Sequence, residues 1–186
     1  MGIIRNSQSV YENLRKYNFH ITIENGMEYD LKFKREQYHH LAGFQHLTDL
    51  PDIANPKTGM QQFYSKLKSG KISEQHIESS TMFCKIKERI ASFDAINTIL
   101  SASDAKVIVE FDPTLASSLI PAKLLLFQRD GTPFSASITY YSLFMDYLSG
   151  SSKLFPLSFL VEHSTLYVQN QKFLNCSLSC TTISNK

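Results

Sequence analysis

The chain has 186 residues, 42% of them hydrophobic, which suits one globular domain that buries most of the surface its unfolded form exposes. A formal charge of only +2, from 19 basic and 17 acidic residues, supplies no strong field to gather nucleic acid from a distance, although chemistry at one phosphate needs only local charge. The opening Met1-Gly2-Ile3-Ile4-Arg5-Asn6-Ser7 lacks the apolar run of a signal peptide, and no later run approaches the ~18 residues of a spanning helix, so a soluble, cytoplasmic protein without membrane attachment is expected.

From the N-terminus, Ser9-Val10-Tyr11-Glu12 has capping-box spacing and precedes Leu14 and Tyr17, which predicts a short helix over about residues 9 to 17. Two alternating runs follow, Phe19/Ile21/Ile23 and Met27/Tyr29/Leu31/Phe33, joined by Glu24-Asn25-Gly26. A two-residue Asn-Gly turn would set Ile21 opposite Asp30. A three-residue loop with a left-handed Gly26 instead pairs Ile23 with Met27, Ile21 with Tyr29 and Phe19 with Leu31, and gives one apolar face. A hairpin with a glycine bulge is therefore predicted.

From Glu36 to about residue 100 the period becomes helical. Tyr38, Leu41, Phe44 and Leu47 suit one face of a helix ending before Pro51, and Met60, Phe63, Tyr64 and Leu67 form another, stopped by Gly70. Ser73 opens a short third helix. The longest is expected from Thr81 to Leu100, on the period of Phe83, Ile86, Ile90, Phe93, Asn97 and Leu100. Beyond Ser101-Ala102-Ser103-Asp104 the pattern alternates: Val107/Val109/Phe111, a doubly buried strand at Leu124 to Phe127, a turn at Arg129-Asp130-Gly131-Thr132, and strands at Ser135 to Met145, Leu157 to Val161, Thr165 to Gln169 and Phe173 to Ser179. Leu148-Ser149-Gly150-Ser151-Ser152 reads as a loop tip. The expected fold is α+β in a single domain over residues 1 to 186, helix-rich to 100 and strand-rich over 105 to 180. An N-terminal hairpin and several helices pack on a small antiparallel sheet built mainly from the C-terminal half.

No glycine-rich phosphate loop, His-Glu-x-x-His, Gly-x-Ser-x-Gly or Walker lysine is present, which argues against a nucleotide-hydrolysing or zinc-dependent enzyme. Cys84, Cys176 and Cys180, an odd number in a chain too large to need staples, are read as reduced thiols used as small hydrophobes, and Cys176 and Cys180 on one strand would stand about 13 Å apart, too far for one zinc ion. No metal or cofactor is expected.

The run Tyr38-His39-His40-Leu41-Ala42-Gly43-Phe44-Gln45-His46-Leu47-Thr48-Asp49-Leu50 resembles a "His-Leu-x-Gly-x-x-basic-Leu-x-Asp" signature. It is followed by "Phe-Tyr-x-x-Leu-x-x-Gly-x-Ile" from Phe63 to Ile72 and "Arg-Ile-x-x-Phe" from Arg89 to Phe93. Later come "Pro-x-Ser-Phe-Leu" and "Tyr-Val-x-Asn-Gln" between Pro156 and Gln171. In order and spacing these resemble the phage-borne branch, fourth type, of the barnase, EndoU, colicin and RelE-like nucleases, over roughly residues 17 to 175. The resemblance implies helices packed on a small antiparallel sheet and metal-independent cleavage of RNA by a toxin-like or host-takeover effector, with an immunity or antitoxin protein as a further partner. His46 stands where that signature most often has lysine, which makes a cationic role there depend on pH. An inactive member that binds RNA or protein is the alternative, and an unrelated interaction domain of a mobile element the third reading.

Metal-free RNA cleavage needs a base for the 2′-hydroxyl, an acid for the leaving oxygen and cations for the charged phosphorane. His40 matches the signature histidine and falls beside the apolar stripe, either as a base at a cleft edge or as a structural ring fastened to a backbone carbonyl. His39 and His46, with Gly43 between them, form another stripe that offers a substrate-binding surface or a close helix contact. Spaced about 10.5 Å along a helix, the two histidines would not share a metal. Arg89 is a candidate for the phosphate or a snorkelling side chain. Ser158, Tyr167 and Asn170 match late polar positions of the resemblance, with Ser158 and Tyr167 as candidate catalytic groups and Asn170, like His39 and Gly43, as a substrate contact. Asp49, before Leu50-Pro51, reads as a turn residue.

Overall fold

The computed structural model describes residues 2–102, 106–116, 118–130, 139–147 and 151–183, and the chain divides into two compact units. One, helical, comprises residues 1–15 and 33–94; the other, built on strands, comprises 16–32 and 95–186.

The helical unit opens with α1 (Ile3–Leu14), which starts six residues earlier than the capping pattern implied. Its inner face carries Ile4, Ser7, Gln8, Tyr11 and Leu14. Two of these are polar and so break the apolar period: Ser7 Oγ lies 2.8 Å from the Tyr38 hydroxyl, and Gln8 bonds the Tyr64 carbonyl. Then come α2 (Tyr38–Ala42), α3 (Pro51–Ala54), α4 (Met60–Lys68), α5 (Glu74–Glu78) and α6 (Cys84–Ala91). Tyr11, Tyr38, Tyr64 and Phe93 pack largely edge to face at centroid spacings of 5.0–6.1 Å and form the centre of the core. Ser73 caps α5 by accepting the His76 N–H.

Two expected helices are broken. Gly43, at φ +85, leaves the right-handed region and ends α2, so residues 44–46 form a separate 3-10 turn where one helix to Leu47 was expected. The long helix from Thr81 to Leu100 is two, α6 and α7 (Ala95–Ser101). Phe93 is buried in the helical unit whereas Ile96, Ile99 and Leu100 belong to the other, so the apolar period runs on across a change of unit.

The second unit corrects the expected fold. In place of a small antiparallel sheet, its seven strands among the described residues close into a barrel in the order β1-β2-β6-β5-β4-β3-β7. They are β1 (Tyr17–Ile23), β2 (Glu28–Lys32), β3 (Lys106–Val109), β4 (Leu124–Asp130), β5 (Thr139–Tyr147), β6 (Lys153–Glu162) and β7 (Phe173–Thr182). The hairpin has the predicted register, with Ile21 opposite Tyr29, Phe19 opposite Leu31 and Gly26 at φ +88. It is also the closing piece. β1 pairs along its whole length with β7, and β2 makes a short parallel pair with β6 at Asp30↔Lys153 and Leu31↔Leu154, so the sheet lacks the open edge that an isolated hairpin would leave.

β4 is buried on both faces, as expected. Leu125 and Phe127 face a cluster with Ile108, Phe111, Phe144 and Leu160, while Leu124 and Leu126 are buried on the other side. Thr165 to Gln169 is not a strand. It is part of a turn held by the N–H groups of Val168 and Gln169 on the Thr165 carbonyl, and Tyr167 and Val168 cover the cluster. Arg129 and Asp130 complete β4 rather than begin a turn, and residues 131–132, 135–138 and 148–150 of the predicted turn, strand and loop tip lie outside the described residues. Cys176 is buried on β7, and Cys84 and Cys180 are exposed free thiols. Among the described residues no helix is long and apolar enough to cross a membrane.

Candidate functional site

In the helical unit α6 packs on α2 and on the 3-10 turn that follows it, and Gly43 lies against Ile86 and Arg89 of α6. A Cβ there would stand 2.8 Å from Arg89 Nη1 and 3.0 Å from Ile86 Cγ2. The glycine thus serves two needs, a positive φ and room for a guanidinium. Asp49 fixes the start of the α6 segment by accepting from Ser80 Oγ at 2.6 Å, Thr81 N at 2.8 Å and Thr81 Oγ1 at 3.0 Å. Those bonds, led by the one from Ser80, hold its carboxyl below the usual aspartate range.

This corner gathers His40, His46, Lys85 and Arg89. His46, exposed, has its pKa lowered first by desolvation and then by the positive charges of Arg89 and Lys85, with His40 disfavouring a second imidazolium beside its own, so it is a neutral ring beside two cations. Gln45 Nε2 lies 3.3 Å from His46 Nε2, and donation by the amide leaves the ring proton on Nδ1. His40 is exposed as well, yet atoms packed about its ring lower its pKa by desolvation. Two neutral imidazoles beside two permanent cations can move a proton and hold an anion at one place.

His39 occupies the structural position that was one reading of His40. It is fully buried, its Nε2 meets the Ile53 carbonyl at 2.7 Å, and its ring packs on Phe63, Phe44 and His40. It therefore presents no surface to a substrate. Since Gly43 separates α2 from the 3-10 turn, His39 and His46 do not form one helical stripe.

Of the residues singled out from sequence, His39, His40, Gly43, His46 and Arg89 are thus drawn together in the helical unit, whereas Ser158, Tyr167 and Asn170 belong to the barrel unit. Ser158 is partly buried on β6 opposite Phe144, the Tyr167 ring sits edge-on to Phe144 at 5.2 Å, and Asn170 is exposed at φ 61. Lys85 was missed, although its spacing of four from Arg89 places both on one side of a helix. A second polar group, also missed, lies on the outer face of the barrel. Asp30 Oδ1 meets His20 Nδ1 at 2.5 Å, a cross-strand pair implied by the hairpin register, and His20 Nε2 lies 3.2 Å from Thr181 Oγ1 on β7.

The corner sets groups able to exchange protons near neutral pH beside groups that carry positive charge. The chain belongs to the phage-Barnase-EndoU-ColicinE5/D-RelE like nuclease 4 family, whose model matches residues 3–176. Comparison with curated proteins and with solved structures finds no match. Membership makes this a chain of a phage-associated nuclease family, with nucleic acid as the general class of substrate.

Gly43→Ala tests the construction of the corner. A side chain at φ +85 costs about 1–2 kcal/mol and would also displace the Arg89 guanidinium, so a loss of about 1–3 kcal/mol in chemical denaturation is expected. An alanine variant as stable as the wild type would refute the close approach.

Proposed function

We propose that the protein is a metal-independent RNA endonuclease acting in the cytoplasm as a toxin-like or host-takeover effector. The observation that carries this reading is the convergence of His40 and His46 with Arg89 and Lys85 about Gly43 in a chain of a nuclease family. His40, neutral at physiological pH, removes the 2′-hydroxyl proton; O2′ then forms its bond to phosphorus while the bond to the 5′-oxygen breaks. The leaving oxygen takes its proton from solvent, to which His40 later returns the one it gained, and Arg89, Lys85 and the N–H of His46 stabilise the phosphorane charge. Dependence on the 2′-hydroxyl selects RNA over DNA. Ser158, Tyr167 and Asn170 are assigned hydrogen bonds to phosphate or base on the family pattern alone, as is an immunity or antitoxin partner.

Purified protein incubated with total RNA in excess chelator should yield discrete fragments with 2′,3′-cyclic phosphate at their new 3′ ends. RNA left intact under these conditions would overturn the reading in favour of a non-catalytic member that binds RNA or protein.

A further inference from the structure

The helical unit carries a groove of about 880 Å³ that the proposed chemistry does not use, near the upper end of the roughly 300–1,000 Å³ range of ligand sites. Three lysines line it, and the backbone accounts for their meeting. Lys57 lies in the loop before α4, where the neighbouring Thr58 Oγ1 takes a hydrogen bond from Lys66 Nζ at 3.2 Å. Lys66 is in the last turn of α4, and Gly70, at φ +76, folds the chain back so that Lys71 N reaches the Lys66 carbonyl at 2.9 Å. Asp52 is the one acid in the described lining, and it faces His76 Nε2 at 2.9 Å. Among the described residues none of the three lysines forms an ion pair.

Like charges gathered along one groove without counter-ions repel one another and are relieved by an anion with several charges. They come from three successive segments, and lysines act on phosphate as point charges with no demand on base identity. Phe63, at the groove, packs its ring 5.0 Å from His39, and the His39 ring lies 5.4 Å from that of His40, so a short chain of packed rings links this groove to the histidine corner.

We propose that this groove binds the phosphates of a single-stranded polynucleotide, independently of sequence, and holds the strand whose cleavage at the histidine corner is proposed above. The inference rests on that reading for the identity of the strand, and its test separates the two. A labelled, short single-stranded 2′-O-methyl oligoribonucleotide, which has no free 2′-hydroxyl, is titrated with wild type and with the triple variant Lys57→Gln, Lys66→Gln, Lys71→Gln over a range of salt. Loss of three contacts should flatten the slope of log affinity against log salt by about 2, and the triple arginine variant should restore it. A folded glutamine variant with the wild-type slope overturns the groove, as does wild type that fails to bind the probe. Cleavage of unmodified RNA is scored on the same preparations. Lysine-dependent binding by protein that cuts nothing upholds the groove and ends the nuclease reading, and cutting by protein whose slope ignores the lysines does the reverse.

Discussion

His40→Ala is expected to lower RNA cleavage by about 10²- to 10⁴-fold while the fold is kept, because only a proton transfer is lost. The expectation rests on a division of labour between adjacent rings. His39 bears the packing load with its buried contact to Ile53, while His40 is exposed and its desolvated ring favours the neutral form a base requires. Removing His40 should therefore leave the thermal midpoint close to that of wild type. The pH profile supplies a second readout. A base whose pKa lies below the ordinary histidine value stays competent as the solution is acidified, so the acid limb of the wild-type rate should fall below about 6.5 and be absent from the residual rate of the variant. Thermal melts and cleavage rates on one preparation decide the matter: a folded variant cutting at the wild-type rate ends the mechanism.

Local rules and long-range closure explain what could be read from the sequence. The hairpin register followed from matching apolar faces across Glu24-Asn25-Gly26, a choice confined to fifteen residues, and Ile21 does stand opposite Tyr29. Closure of the barrel was not legible, since alternation in Phe173 to Ser179 identifies a strand without saying that its neighbour is β1, some 150 residues earlier. Periodicity also cannot see a break that preserves phase. Gly43 was read as tolerated within a helix, and Phe93 as one more inward residue of a long one, yet the first ends α2 and the second closes the helical unit.

At the site, the residue types were legible and their roles were less so. His39 and His40 are neighbours in sequence, about 100° apart on a helix, and which of them turns inward depends on where Ile53 and Phe63 arrive. Lys85 and the pairing of His20 with Asp30 could both have been read, the first from helical spacing to Arg89 and the second from the same register that set Ile21 against Tyr29.

Acid should destabilise the protein through His39 before most carboxylates titrate. The ring is fully buried, Nε2 is engaged by the Ile53 carbonyl, and among the described residues Nδ1 has no hydrogen-bond partner to receive a second ring proton. Desolvation first, and His40 alongside, bring its pKa from 6.5 to about 4, against the contrary pull of the carbonyl. Because the folded value lies below the unfolded one, the unfolded chain takes up the proton more readily. The stabilisation is complete above about 6.5 and is lost as pH falls through about 4, a difference of about 3 kcal/mol. His39→Gln offers an amide to the same carbonyl and cannot titrate, so it should be less stable than wild type at neutral pH, by about 1–3 kcal/mol from imperfect packing on Phe44 and Phe63. Its stability should then decline more slowly on acidification. The surface carboxylates common to both proteins cancel in the comparison. Denaturant melts at intervals from pH 7.5 to pH 4 should show the two curves converging, and curves that stay parallel would mean that the buried ring is not what acid attacks.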